Sequence, residues 1–354
     1  MKVDVAIVGG GPAGCSAALA LRAKDHSVAV IDLPSPRAKS TEMAGPALPN
    51  RLQRLNAAET LSACDPCFGI SSNWGRTEAA IKPSILDPFG HAWFIHRERF
   101  DACLKLAALS MGAIWIEGKA RSFDFNKQSV SIETTGHARV QAKWVMLATG
   151  SPCWAARVTH QNCSTVDNLI AYWAYLPVRL EERLLFVEAA DHGWWYVCPR
   201  ADKDLLACFV TDSASSRSLR VSKLDNWNNS FRRTNFFQRL SSEAIATSIC
   251  AVSSGLAALP RSTGTRWTAV GDAAAKLDPL GGAGLLFALD SAWRGALAVC
   301  DALRGNVSGL TRYANSVSAL IQQFVRQREQ QYAIEAASRA NPFWTARLRH
   351  SLSA

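Results

Sequence analysis

The strongest constraint on the fold lies at the start of the chain. An apolar run from Val3 to Val8 leads into Gly9-Gly10-Gly11-Pro12-Ala13-Gly14, which fits the pattern G-x-G-x-x-G. In this pattern the first glycine allows a tight turn, the second lets the backbone approach a pyrophosphate, and the third permits close packing of a helix on a strand. Amide groups at the start of that helix face the phosphates. The predicted contacts with a dinucleotide are Gly9, Gly11, Pro12, Ala13 and Gly14.

An acidic residue supports this prediction. Asp32 follows a second apolar run, from Ser27 to Ile31, so that strand, turn, helix, strand and acid occur in that order. Its carboxylate is placed to accept hydrogen bonds from an adenosine ribose. A glycine-rich turn with no nucleotide to bind would not need this acid, and the order therefore favours dinucleotide binding.

A second motif, far along the chain, selects the kind of dinucleotide. A predicted strand from Thr268 to Val270 runs into Gly271-Asp272, and the stretch 278–284, Asp-Pro-Leu-Gly-Gly-Ala-Gly, then opens a helix. This arrangement resembles the aromatic-hydroxylase class of flavoproteins. In that class the Gly-Asp acid binds the flavin ribityl chain and the helix begins beneath the isoalloxazine. The resemblance implies that the cofactor is FAD.

The physical chemistry of a helix start agrees with this implication. A helix N-terminus carries about half a positive charge, and reduced flavin carries negative charge near N1. The glycines leave room for the flat ring. The cofactor contacts implied here are Asp272, Pro279, Gly281, Gly282, Ala283 and Gly284. The alternative is that Asp272 only caps a helix that follows a loop.

Two shorter segments resemble the same class. Residues 96–101 are similar to its arginine-containing helix start, which would bring Arg97 near the cofactor, although Arg97 could instead be an ordinary surface ion-pair partner. Residues 147–150 are similar to its strand that returns to the flavin, which implies contacts at Thr149 and Gly150. There is one G-x-G-x-x-G, which disfavours the disulfide-reductase class. Electrons could come from NAD(P)H bound without such a motif or from a separate flavin reductase.

Further segments resemble one branch of these flavoproteins. Residues 73–75 (Asn-Trp-Gly), 193–196 (Gly-Trp-Trp-Tyr) and 341–344 (Asn-Pro-Phe-Trp) are similar to non-halogenating relatives of the tryptophan halogenases. The pattern is closest to the flavoprotein maturases of cysteine tryptophylquinone enzymes. The resemblance implies a monooxygenase that hydroxylates a tryptophan side chain of a precursor protein through a flavin C4a-hydroperoxide. The implied partner is the precursor of a quinone-cofactor amine or amino-acid oxidase or dehydrogenase.

Other functions remain open from the sequence. Flavin halogenases use a lysine to handle hypohalous acid, and the segment from Phe68 to Gly75, where we expect it, has Trp74 and no lysine. The alternative enzyme is an FAD-dependent hydroxylase or halogenase of a small aromatic metabolite. A flavin-containing subunit that escorts a partner protein, with little turnover, is a third possibility.

Several residues are candidates for the chemistry itself. Loss of a proton from a hydroxylated indole benefits from a base, and the candidates are Glu42, His91 and His96. Alternating faces of a strand put Trp194 and Tyr196 on one side, where they could line the substrate cleft, with Trp195 on the other. Each has an ordinary structural alternative: a loop hydrogen bond for Glu42, a surface position for the histidines, and an aromatic sheet core for the ring residues.

The patterns together predict an α/β protein. We expect a Rossmann-like FAD-binding domain of the aromatic-hydroxylase type, an inserted antiparallel-sheet substrate domain, and C-terminal helices, with helical stretches at residues 284–303 and 310–335. The predicted FAD domain comprises residues 1–60, 95–165 and 265–308. The predicted substrate domain comprises residues 61–94 and 166–264, and the C-terminal helical segment residues 309–354.

Composition excludes several other classes. The formal net charge of +10 favours acidic partners, but no nucleic-acid-binding motif occurs. No apolar run approaches the ~18 residues of a membrane span, and the first residues already belong to the fold, so we expect a cytoplasmic protein without a signal peptide. The ten cysteines show no metal-ligand spacing. The pair Cys64 and Cys67 has either a structural or a redox role.

Overall fold

The structure is a computed structural model that describes residues 1–33, 41–76, 78–200, 204–240, 244–339 and 341–348. In these ranges the strands are β1 (Lys2–Val8), β2 (Val28–Asp32), β3 (Thr41–Ala44), β4 (Cys64–Cys67), β5 (Gly69–Ser72), β6 (Ala80–Pro83), β7 (Ala92–His96), β8 (Ile114–Glu117), β9 (Ala120–Phe125), β10 (Val130–Thr134), β11 (Arg139–Leu147), β12 (Ser164–Thr165), β13 (Leu169–Leu176), β14 (Leu185–Ala190), β15 (Gly193–Pro199), β16 (Leu205–Asp212), β17 (Cys250–Ser253), β18 (Ala257–Ala258), β19 (Thr263–Gly264), β20 (Trp267–Ala269) and β21 (Ala275–Lys276). The α-helices are α1 (Pro12–Arg22), α2 (Leu48–Arg54), α3 (Arg97–Ser110), α4 (Pro152–Val158), α5 (Ser213–Leu219), α6 (Leu224–Arg232), α7 (Gly284–Leu303), α8 (Ser308–Ser338) and α9 (Pro342–Thr345).

The first large sheet has a Rossmann-like arrangement. Eight strands follow the order β19-β20-β11-β1-β2-β8, with β10 and β9 added beside β11. Strand β1 pairs in parallel with both β11 and β2, and helices α1 and α7 pack on each other beside it. Because both faces of β1 are covered, its centre is a continuous apolar run in which Val5, Ala6 and Ile7 are fully buried. The expected α/β fold class, with a Rossmann-like sheet and a helical C-terminus, is confirmed.

The turn between β1 and α1 depends on two glycines. Gly9 has φ +105°, a conformation that favours glycine. A Cβ atom on Gly14 would lie 1.8 Å from the carbonyl oxygen of Gly9. Helix α1 therefore begins immediately above the end of β1, with Pro12 in its first turn, where a proline fits well.

The second large sheet has seven strands in the order β17-β13-β16-β15-β14-β5-β6. Its pairs are antiparallel apart from β14 with β5. Side chains alternate along β15: Trp194 and Tyr196 belong to the cluster on one face, and Trp195 belongs to the cluster on the other face with Trp227 and Phe231. The predicted alternation of these three aromatic residues matches this arrangement.

The division into domains stays a proposal, which the two large sheets support. Of the strands in the predicted substrate segments, β5, β6 and β13–β17 lie in the seven-stranded sheet, whereas β18 lies in a small sheet and β19 in the eight-stranded sheet. The segment 61–94 is shared, because its strand β4 pairs with β7 in a separate three-stranded sheet with β3. Within the described ranges, no helix combines the length and the apolarity that a bilayer crossing requires.

A buried ion cluster joins the C-terminal helix α8 to the loop before α7 and to the seven-stranded sheet. Two nitrogen atoms of the Arg328 side chain donate hydrogen bonds. Nε donates to Asp278 Oδ2 at 2.6 Å, and Nη2 donates to Asp167 Oδ2. The hydroxyl of Tyr332 also donates to Asp278 Oδ2, at 3.1 Å, and accepts a hydrogen bond from Trp194 Nε1 at 3.2 Å. Arg328 is 4% exposed, so the cluster is closed to water. It fixes the start of the predicted flavin loop, which begins at Asp278.

We expect Arg328→Met to destabilise the protein by about 3–5 kcal/mol, because it leaves two buried carboxylates without their cation. Urea unfolding of the purified protein measures the change. Arg326→Met, an exposed arginine on the same helix, is the matched control and should change the free energy of unfolding by about 0.5 kcal/mol or less. Equal losses in the two variants would contradict the importance of the cluster.

Candidate active site

A cavity of about 320 Å³ lies between the end of β1 and the start of α7. Most of the residues predicted to bind the cofactor line this cavity, which shows that the first and second motifs meet in space. Those lining it are Gly9, Gly11, Pro12, Ala13, Asp32, Arg97, Thr149, Gly150, Asp272 and Gly284.

The walls of this cavity are open where a flat or extended ligand would need room. A Cβ atom on Gly11, Gly150 or Gly284 would meet no atom within 4 Å. The N-cap residues of the two helices are Gly11 in α1 and Ala283 in α7. Neither has a side-chain oxygen that could accept a hydrogen bond from the first amides of its helix. Two helix N-termini thus offer amide groups and positive dipole ends at the two ends of one groove. These residues fit a dinucleotide whose pyrophosphate lies at α1 and whose electron-rich ring lies at α7.

A second cavity, of about 350 Å³, adjoins the first. The two share Glu42, Gly150, Asp272, Gly284 and Leu285 in their walls. On the far side, the second cavity is lined by residues from the seven-stranded sheet and from the loop before α7. These include Val187, Trp194, Tyr196, Cys198, Lys276, Pro279 and Gly282. A substrate in this cavity would lie against the ring end of the cofactor.

Three predicted cofactor residues do not line either cavity. Gly14 supports the groove from behind through its contact with Gly9. Gly281 packs on α8, where an added Cβ would lie 2.8 Å from the ring of Phe324. Ala283 is the N-cap of α7. Their roles are to shape the backbone of the groove.

The histidine candidates lie outside the site. His91 does not line either cavity; its Nδ1 atom is 2.9 Å from Ala92 O, and its ring packs on those of Phe68 and Trp93. His96 is paired through Nε2 with Asp65 Oδ2 at 2.6 Å. The proposed site therefore excludes both. The sequence could not show this, because the direction of each side chain depends on how β7 pairs with its neighbours.

Arg97 lies between two carboxylates at the cavity wall. Its Nη1 atom donates to Glu42 Oε1 at 2.7 Å, and Nε and Nη2 donate to the two oxygens of Asp101, each at 3.1 Å. Burial acts to lower the pKa of Arg97, but Glu42 and Asp101 outweigh it and raise that pKa. Arg97 thus stays charged, and its ion pair fixes Glu42 at the boundary of the two cavities.

Asp272 lies at the same boundary and interacts electrostatically with Lys276 in the wall of the second cavity. Burial raises the pKa of Asp272 to about 6, against the opposing effect of Lys276. Burial lowers the pKa of Lys276, again against the effect of Asp272. The Nζ atom of Lys276 donates to the backbone carbonyl of Ser253. No sequence motif singled out Lys276, although it is a lone charged residue within the small and apolar stretch 273–277.

Aromatic residues form one wall of the second cavity. The rings of Trp194 and Tyr196 are 5.9 Å apart, and Trp74 makes edge contacts with Trp194, Tyr332 and Trp344 behind them. Burial raises the pKa of Tyr196 well above its ordinary value, so its hydroxyl remains a neutral donor. Trp74, at the position where we expected a halogenase lysine, donates its Nε1 hydrogen to Gln331 O. It is thus part of this aromatic packing.

Comparison with known proteins gives two matches in sequence. Residues 3–175 match the pyridine nucleotide-disulphide oxidoreductase family, a range that contains the first dinucleotide motif. Along its length the chain is similar to a protein of Marinomonas mediterranea that is named "Putative FAD-dependent oxidoreductase LodB". The two are 24% identical over 371 residues, which cover 99% of this chain and 98% of LodB.

Solved structures share the fold. The flavin-dependent halogenase CmlS superposes with a TM-score of 0.88 at 22% identity, covering 99% of this chain and 68% of CmlS. QhpG, a peptidyl tryptophan dihydroxylase essential for tryptophylquinone cofactor biogenesis, superposes with a TM-score of 0.80 at 19% identity, covering 100% of this chain and 81% of QhpG. Both halogenases and hydroxylases are thus built on this fold.

We expect Gly11→Leu to weaken FAD binding by about 100-fold or more, equivalent to about 2.7 kcal/mol. Gly11 has φ −74° and no neighbour near its Cβ direction, so the new side chain would enter the cavity without straining the backbone. Titration of the apoprotein with FAD, followed by quenching of flavin fluorescence, gives the dissociation constant. Gly136→Leu, at an exposed turn that is equally open, is the control. FAD binding as tight in Gly11→Leu as in this control would contradict the assignment of the cavity beside Gly11 to FAD.

We expect Asp272→Asn to stabilise the FAD-free protein at pH 7.5 by about 1–3 kcal/mol. The pKa of Asp272 is about 6 in the folded state against 3.8 ordinarily. The folded state therefore holds this proton more tightly, and stability is lost as pH rises through that window. Below about pH 3 the Asp272 carboxyl is mostly protonated in both states, and the advantage of the variant should disappear. Urea unfolding at the two pH values tests this, and a stabilisation independent of pH would contradict it.

Proposed function

We propose that this chain, an FAD-dependent oxidoreductase with the fold of the flavin-dependent halogenases and hydroxylases, hydroxylates a tryptophan side chain of a precursor protein. The modified residue would become part of a tryptophan-derived quinone such as cysteine tryptophylquinone. The observation that carries the proposal is the aromatic-walled cavity that shares Glu42, Asp272 and Gly284 with the cofactor cavity. An indole held there would lie beside the ring end of the flavin.

The roles proposed for the side chains follow from their positions. FAD, when bound, supplies an activated oxygen atom. Trp194 and Tyr196 would orient an indole by edge and face contacts, and the apolar residues Leu185 and Val187 would help exclude water. Glu42, fixed by Arg97, is the proposed acceptor for the proton that leaves the hydroxylated ring carbon.

Two relatives support a protein-bound substrate. QhpG, which has the same fold, acts on a peptidyl tryptophan in tryptophylquinone biogenesis, and LodB is similar to this chain over nearly the full length of both. The net charge of +10 suits docking of an acidic precursor. We propose the precursor of a quinone-cofactor oxidase or dehydrogenase as the partner, and NAD(P)H or a flavin reductase as the electron source.

A second candidate function is hydroxylation or halogenation of a small aromatic metabolite. The observation that favours it is Lys276, an ammonium group in the wall of the second cavity. An ammonium group beside the flavin could handle hypohalous acid, although Lys276 lies outside the segment where the halogenase lysine was expected. Its hydrogen bond to Ser253 also gives it a structural role.

Co-expression with a candidate precursor tests the proposal. We expect the wild-type chain and Gly136→Leu to add oxygen to one tryptophan-containing peptide of the precursor, and Gly11→Leu to leave the peptide unchanged because it lacks FAD. Peptide mass spectrometry measures the addition. An unchanged precursor in the presence of FAD-loaded wild-type protein would overturn the proposal. Addition of oxygen, or of halogen when bromide is present, to a free aromatic compound instead would favour the second candidate.

A further inference from the structure

Two cysteines outside the predicted motifs lie in direct contact. The Sγ atoms of Cys153 and Cys163 are 2.6 Å apart, and both residues carry free thiols. Cys153 is in the first turn of α4 and is exposed, whereas Cys163 is half-buried in the connection to β12. Because the two sulfur atoms already touch, a bond between them requires little movement of the backbone.

The cysteine pair that the sequence suggested, Cys64 and Cys67, is arranged differently. The Cys64 thiol donates to Thr60 O and the Cys67 thiol donates to Gly69 O, so the two thiols are directed to different backbone carbonyls and not to each other. Burial raises the pKa of Cys64 to about 12, which suppresses the reactive thiolate. The close and partly exposed pair is therefore Cys153 with Cys163.

This pair lies beside the candidate active site. Helix α4 begins two residues after Gly150, which lines both cavities, and Ser151 caps it by accepting a hydrogen bond from Trp154 N. Cys153 is also close enough to Lys276, which lines the second cavity, to act to raise the pKa of that lysine. A small oxidant near the cavities would thus meet an accessible thiol.

We propose that Cys153 and Cys163 form a reversible disulfide with hydrogen peroxide as the oxidant. Peroxide is the two-electron reduction product of O₂, and flavin enzymes carry out O₂ chemistry. The Cys153 thiolate attacks one peroxide oxygen, giving a sulfenic acid and a hydroxide. The Cys163 sulfur then attacks the sulfenic sulfur; its proton and the departing hydroxide form water. In total, two thiols and one peroxide give one disulfide and two waters.

The order of attack follows from the surroundings of the two sulfurs. Burial, together with the neighbouring Cys153, raises the pKa of Cys163 to about 12. The Cys163 thiol therefore keeps its proton, whereas Cys153 is exposed, so that peroxide reaches and oxidises the Cys153 sulfur first. Cys163 acts second, as the resolving thiol.

Peptide mapping of the FAD-loaded protein tests the disulfide. The protein is treated with one equivalent of hydrogen peroxide, denatured, alkylated with N-ethylmaleimide, digested without reductant and analysed by mass spectrometry. We expect a peptide that joins Cys153 to Cys163, two hydrogens lighter than the sum of its parts, which dithiothreitol separates. Cys250→Ser, which removes another exposed cysteine, is the control and should keep the cross-link.

Two further variants keep the test decisive. Cys153→Ser should lose the cross-link and leave Cys163 alkylated. Cys163→Ser should accumulate the sulfenic acid on Cys153, detected as a dimedone adduct. Each variant is first shown to bind FAD as the wild type does. Peroxide treatment that leaves both thiols of the wild type alkylated, or that oxidises Cys153 to a sulfinic acid while Cys163 stays free, would overturn the proposal.

Discussion

The close approach of α1 to β1 is the constraint on which the cofactor groove depends. Gly14 lies so near the carbonyl of Gly9 that any side chain would collide with it. Gly9 likewise leaves no room for a side chain, because a Cβ would lie 2.2 Å from Ala148 O at the end of β11. These contacts bring the N-terminus of α1 to the sheet edge where the parallel strands end, and ligands bind at that edge in open α/β folds.

The seven-stranded sheet is connected to this groove by buried polar contacts. Arg328 binds Asp278 and Asp167, and Asp278 begins the loop whose residues Pro279 and Gly282 line the second cavity. The same cluster continues through Tyr332 to Trp194 in the wall of the second cavity. Removing one member of a buried charge cluster is costly because the others stay desolvated. One set of side chains therefore fixes the loop that begins at Asp278 relative to the aromatic wall of the second cavity.

Local sequence patterns predicted the backbone well where the pattern itself is the cause. The helix over residues 284–303 is confirmed at both ends, because glycines precede an unbroken apolar periodicity. The helix predicted over residues 310–335 is longer, Ser308–Ser338, since polar residues on its exposed side weaken the apolar signal. The glycines of the first motif could be recognised because a side chain at any of them would block either the tight turn, the approach of a pyrophosphate or the packing of α1 on β1.

Positions that depend on tertiary packing could not be predicted in the same way. Lys276 reaches the second cavity because the short strand β21 pairs with β18, which no local pattern indicates. Cys153 meets Cys163 because the chain turns back after α4. His91 carries a suitable functional group, but it packs between Phe68 and Trp93. Residue type identifies candidates for chemistry, and only the fold decides which of them meet.

A crystal structure of the FAD complex would test the central claim most directly. We expect the pyrophosphate within hydrogen-bonding distance of the amides at the start of α1, and the ribityl chain beside Asp272. We also expect the isoalloxazine edge at Gly284, facing the cavity lined by Trp194 and Tyr196. A flavin bound elsewhere, or with its ring directed away from the start of α7, would contradict the assignment of this groove to FAD.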